Sequence, residues 1–92
     1  MLVGDYMTLQ EQQELEQLIN QYNSTDSATI KQNIIKYIDA SGLKNQHIAD
    51  RMNLNIQTIY LYRQPKKKTN IDFITALKFC NVLEINIIEL IK

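Results

Sequence analysis

Residues 43–63, LKNQHIADRMNLNIQTIYLYR, decide how this chain is read. Ile48, Ala49 and Met52 recur at helical spacing and give the first half one apolar stripe. Asn53 follows, a residue type that tolerates the left-handed backbone of a tight turn. Asn55 offers a side-chain oxygen to cap a second helix, and Ile59 with Tyr62 gives that helix a face to bury. The small side chain of Ala49 lets the two helices cross closely. The segment predicts a helix-turn-helix with its turn at 53–55. Two short helices joined by such a turn are the unit that lays its second helix in the DNA major groove.

Outward from this segment the signals remain helical. Residues 30–41 form an amphipathic stretch that stops at Gly42, a favourable residue for ending a helix. Asp72 is placed to cap a helix over about 73–83, and Asn86 with Glu89 opens a short last one. Near the start, Thr8 and Glu11 have the spacing of a capping box, and the helix they open runs to about Tyr22. Leu15, Leu18, Ile19 and Tyr22 give it an apolar stripe. The polar run NSTDSAT, residues 23–29, has the composition of a linker or a helix break. The chain thus divides into an N-terminal arm, 1–29, and a domain, 30–92. The expected core contains Ile34, Tyr37, Ile48, Ala49, Ile59, Tyr62, Phe73, Leu77 and Leu83.

Residues 30–91, about two-thirds of the chain, resemble a Cro/Xre-type domain, the small helical module of lambda-type phage repressors. Such families carry a pattern close to Leu-Thr-Gln-x-x-Leu-Ala-x-x-Leu-Gly-Ile-Ser-x-x-Thr-Ile-Ser-x-Ile. Leu43, Ile48, Ala49, Met52, Leu54, Thr58, Ile59 and Tyr62 fill its apolar and small positions, and IDFITALKFCNVLEINIIELI resembles the family's last two helices. The resemblance implies an all-α fold: a five-helix Cro/Xre-like helix-turn-helix domain, here preceded by an extra amphipathic N-terminal helix. It also implies a small cytoplasmic repressor of a phage, plasmid or mobile element, dimeric on double-stranded DNA. Departures are visible. Asn53 and Glu84 stand where the family usually has Gly, and Lys44-Asn45 replaces the usual Thr-Gln. The family often pairs an arginine at the position of Ile38 with a glutamate at that of Arg63; both are changed, and the pair is expected to be lost.

Composition bounds the alternatives. Ninety-two residues suffice for one small domain, and two Gly, one Pro and 45% hydrophobic residues favour helices. A single cysteine excludes an internal disulfide framework, so a reducing compartment is expected. No apolar run approaches the roughly 18–20 residues of a membrane span, and the first residues lack the order of a secretory signal. No membrane partner is expected. Net charge is zero, but its distribution is uneven. Residues 1–30 hold Asp5, Glu11, Glu14, Glu16 and Asp26 with no base, whereas residues 31–92 hold all ten Lys and Arg against five acids. A basic binding module with an acidic appendage has this form.

The resemblance places Asn55, Ile56, Gln57, Tyr60 and Leu61 against base edges. Gln57 can pair bidentately with adenine, and Ile56 and Leu61 can touch thymine methyls. Arg63 and Lys66, Lys67 and Lys68 follow the reading helix, and Lys44 and Asn45 open the one before it; these are the phosphate-binding candidates. A face this apolar also suits a protein partner, so the alternative is a protein-binding module on the same scaffold, an antirepressor or inhibitor. Ile35 and Ile38 form a second apolar face on the 30–41 helix, expected to receive Leu15, Leu18, Ile19 and Tyr22 from the arm of the same chain or of a dimer mate. Ile88, with Val82 and Ile91, marks a further apolar patch for a homodimer contact. Catalysis finds no support. His47 reads as a surface residue, Cys80 as a buried inert thiol, and neither metal spacing nor a phosphate-cradling glycine loop is present. No cofactor is expected.

Overall fold

Every helix start but the one at Asn45 is written locally, by an oxygen-bearing side chain that accepts from an N–H two or three residues on. Thr8 Oγ1 accepts from Glu11 N at 3.1 Å, Asn55 Oδ1 from Gln57 N at 2.9 Å, Asp72 Oδ1 from Thr75 N at 2.8 Å and Asn86 Oδ1 from Ile88 N at 3.0 Å. The computed structural model describes residues 8–92; Asp5, one of the acids of the N-terminal segment, lies outside them. The described residues form five α-helices: α1 Leu9–Ser24, α2 Ser27–Ser41, α3 Asn45–Met52, α4 Ile56–Tyr62 and α5 Phe73–Leu83, then a 3-10 helix at Ile87–Leu90. The fold is all-α, and no strand occurs among the described residues. Nor is any helix there long and apolar enough to cross a membrane.

The core lies between α2, α3, α4, α5 and the 3-10 helix. Ile34, Ile38, Ile48, Ile59, Phe79 and Leu90 are its largest fully buried side chains. Tyr62 meets Phe79 edge-on at 5.3 Å. Asn33 Nδ2 donates to Leu90 O at 2.9 Å and the Tyr37 hydroxyl to Glu89 Oε2 at 2.8 Å, tying the 3-10 helix to α2. Tyr37, Tyr62, Phe73 and Leu83, expected inside, are half-buried and pack against the core. Leu77 corrects the expectation outright, being 38% exposed. Ala76, Phe79 and Cys80 define the inward stripe of α5, and at about 100° per residue Leu77 falls more than a quarter turn from its centre.

Of the two readings of residues 23–29, the structure has the helix break and not a flexible linker. α1 continues to Ser24 and α2 begins at Ser27, leaving only Thr25 and Asp26 between them. The hydroxyls of Ser24 and Thr25 donate back to Asn20 O at 2.9 Å and Gln21 O at 2.8 Å, while Asp26 caps α2. Small polar residues with a linker's composition here finish one helix and start the next.

The docking of α1 differs in its partner. Ile38 belongs to the main core, because Ile30, Ile34 and Ile38 with Tyr37 fit one apolar face about 100° wide, not two. Ile35 is half-buried. α1 packs instead on α5. Tyr22, buried to 3% exposure, donates its hydroxyl to Ile71 O at 2.6 Å and meets Phe73 edge-on at 5.4 Å. Leu18 and Ile19 are half-buried, whereas Leu15 and every other described residue up to Gln17 is exposed.

Candidate nucleic-acid interface

α3 packs on α4 with Ala49 fully buried, as a close crossing requires. Asn53 takes the left-handed conformation at φ 55° and ψ 46°. Leu54 N–H donates to Ala49 O at 2.9 Å and Asn53 N–H to Asp50 O at 3.3 Å, the two bonds of a Schellman ending. Asn55 then caps α4. The turn at 53–55 therefore has the geometry expected of it, each residue in the role its chemistry favours.

On α4 the i, i+3, i+4 set Gln57, Tyr60 and Leu61 lines one outward stripe, with Tyr60 42% and Leu61 40% exposed. Asn55 stands exposed at its head, its oxygen occupied by the cap. Ile56 is half-buried against the core, so only part of its side chain is presented outward. The stripe thus joins one amide to two large, partly apolar groups.

The cations divide into two kinds. Lys66, Lys67 and Lys68 are exposed on the loop after α4, where Lys67 N–H closes a turn on Gln64 O at 3.2 Å. Lys44 is exposed at the head of α3, which opens without a side-chain cap and leaves first-turn N–H groups to solvent or an anion. Arg63 is different. Its Nη1 donates to Asn45 Oδ1 at 2.7 Å and its Nη2 is bonded to the Asp39 carboxylate, joining the ends of α2 and α4 to the start of α3. A pair between positions 38 and 63 is absent, as expected, since Ile38 is buried in the apolar core; Arg63 pairs instead with the acid one position on, Asp39. Two of Arg63's donors and the Asn45 oxygen serve this clamp.

Lys31, not singled out from the sequence, lies beneath the lysine loop. It is 4% exposed, and its ammonium donates to Leu61 O at 3.3 Å, Lys67 O at 2.5 Å and Thr69 Oγ1 at 2.8 Å. Burial, aided by the nearby Lys67 charge, pulls its pKa below the ordinary lysine value. The signal was available, since a residue one position after Ile30 falls on the buried face that continues through Ile34 and Ile38. Lys31, Asp26 and the loop 65–70 border an open cleft of about 500 Å³.

No protein-family model, curated protein or solved structure matches this chain. What the surface can do follows from its own chemistry. An amide on a protruding helix face, followed by three exposed ammonium groups, can offer hydrogen bonds to a base edge and charge to phosphates. The titratable groups elsewhere offer less. His47 is exposed on α3, and burial pushes the Cys80 thiol up to about 11, where it is protonated at neutral pH. Among the described residues no cluster of His, Cys, Asp or Glu is arranged to hold a metal ion. Of the apolar residues named for dimer contact, Ile88 is exposed at the 3-10 helix and Leu15 on α1, whereas Val82 and Ile91 are half-buried against the core.

Proposed function

We propose that this protein is a sequence-specific DNA-binding regulator of Cro/Xre type, a small repressor of a phage, plasmid or other mobile element that acts by occupying an operator. The observation that carries this reading is the α3–turn–α4 unit with Gln57, Tyr60 and Leu61 on its outer stripe and Lys66–Lys68 directly beyond it. α4 would enter the major groove, Gln57 would read adenine, and Lys44, Lys66, Lys67 and Lys68 would hold phosphates. A homodimer, through surfaces that include Ile88, would match two half-sites.

The test is a gel-shift with DNA fragments from the protein's own locus. Gln57→Ala should weaken specific binding by roughly 1–3 kcal/mol and spare nonspecific binding. Replacing Lys66, Lys67 and Lys68 with alanine should weaken both and flatten the salt dependence by about one unit of slope for each phosphate no longer neutralised. Cognate binding indifferent to both changes would remove α4 as the reading element. A second reading, a protein-binding antirepressor or inhibitor, is favoured by the exposure of Tyr60 and Leu61. It predicts no shift on any fragment, and a partner whose binding is abolished by Tyr60→Ala and Leu61→Ala.

A further inference from the structure

A buried lysine with no carboxylate among its hydrogen-bond acceptors needs a reason to be there. Desolvating an ammonium is costly unless its three protons find acceptors. Lys31 finds three: the last-turn carbonyl of Leu61 on α4, the Lys67 carbonyl and the Thr69 hydroxyl. They are 30, 36 and 38 residues away along the chain, so one side chain from α2 joins the end of the reading helix to the middle of the lysine run and to the residue just past it. We propose that Lys31 is a positioning residue which staples the 64–70 loop to α2 and so holds Lys66, Lys67 and Lys68 in register with α4 for phosphate contact.

Two features make the staple more than a packing detail. The loop's own turn includes a single backbone bond, Lys67 N–H to Gln64 O, while Lys66, Lys67 and Lys68 repel one another. Lys31 pulls the Lys67 carbonyl inward, which leaves the neighbouring ammonium groups on the solvent side where a phosphate backbone would lie. Lys31 also adds its own charge under the loop at no cost in exposed surface. Loop order follows from this geometry alone; its consequence for phosphate contact rests on the DNA-binding reading above.

The experiment uses the full chain and two readouts. Limited trypsin digestion, at a temperature where circular dichroism shows full helix content, reports loop opening as cleavage after Lys66, Lys67 and Lys68. Fluorescence anisotropy with a random-sequence DNA duplex, read across a salt series, reports phosphate contact. Lys31→Met keeps the aliphatic stem, removes both bonds to the loop and should speed loop cleavage at least about tenfold, the scale of losing a single charge-assisted hydrogen bond from the closed loop. It should also weaken duplex binding with a shallower salt slope. Thr69→Val, which removes one acceptor and leaves Lys31 in place, should move cleavage the same way by less, and it serves alone if Lys31→Met does not fold. Unchanged cleavage in the folded variants overturns the staple. Faster cleavage with undiminished DNA binding, where the alanine variant of Lys66–Lys68 does lose binding, overturns the positioning role. If the Lys66–Lys68 variant loses no binding either, the DNA reading of the loop fails, and the cleavage rates still decide the staple.

Discussion

Glu84 ends α5 in the left-handed region, at φ 56° and ψ 44°, a conformation that costs an L-residue other than Asn or Asp roughly 1–2 kcal/mol. Gly42 ends α2 at φ 71° without that strain, and Asn53 ends α3 with less of it. What holds Glu84 there is the Ile85 N–H, which donates to Cys80 O at 3.0 Å and leads the apolar chain on towards the buried Ile87. Glu84→Gly should therefore raise stability by about 0.5–1 kcal/mol, the strain relieved less the extra freedom glycine brings to the unfolded chain. Urea melts with an unchanged slope but an earlier midpoint would refute this. Arg63 shows how legibility fails at the same scale. Its charge is plain in the sequence, but its partner Asp39 lies 24 residues away, and nothing local marks one acid among five in the basic segment. At the surface such a pair is worth no more than about 1 kcal/mol, so its importance is in orienting α4.

Helix starts and stops could be read because their chemistry is local: Thr8, Asn55, Asp72 and Asn86 each meet an N–H two or three residues on. The partner of a helix could not be read in this way. The stripe Leu15, Leu18, Ile19 and Tyr22 requires that α1 be covered, but α5 and α2 both offer apolar faces, and only tertiary packing selects α5. Tyr22 is the anchor, and its hydroxyl gives the docking a pH signature. Burial first, then the charges of Asp72 and Cys80, pushes its pKa up to about 12 from an ordinary tyrosine value of 10. A folded-state pKa raised above the unfolded value contributes stability that is complete below pH 10 and is lost as pH rises towards 12. Melting temperature should thus fall more steeply between about pH 9.5 and 11.5 in the wild type than in Tyr22→Phe. Tyr37 and Tyr62 also titrate above the ordinary range, but they are present in both proteins and cancel in the comparison. At pH 7 the variant should be the weaker by about 1–3 kcal/mol, because Ile71 O loses a buried donor. Parallel alkaline curves would mean that Tyr22 is not the anchor.

For the whole molecule the question is how a chain of zero net charge could hold DNA. Glu11, Glu14 and Glu16 all lie on the exposed half of α1, whose buried end is Tyr22. At about 1.5 Å per residue they stand roughly 9–17 Å along the helix from Tyr22, which is seated at Ile71, just past the lysine loop. The Debye length is about 8 Å at physiological salt and about 30 Å at 0.01 M, so the acids and the proposed phosphate contacts should be largely uncoupled in the first condition and coupled in the second. Replacing the three glutamates with glutamine should therefore strengthen duplex binding several-fold at about 0.01 M salt and leave it almost unchanged at about 0.15 M, with melting temperature held because none of the three is buried. A gain of the same size at the higher salt would place α1 against the DNA itself and make it an autoinhibitory arm. No gain at either salt would put the DNA-binding surface on a side of the molecule that α1 does not face, and with it would go the role proposed for the lysine loop.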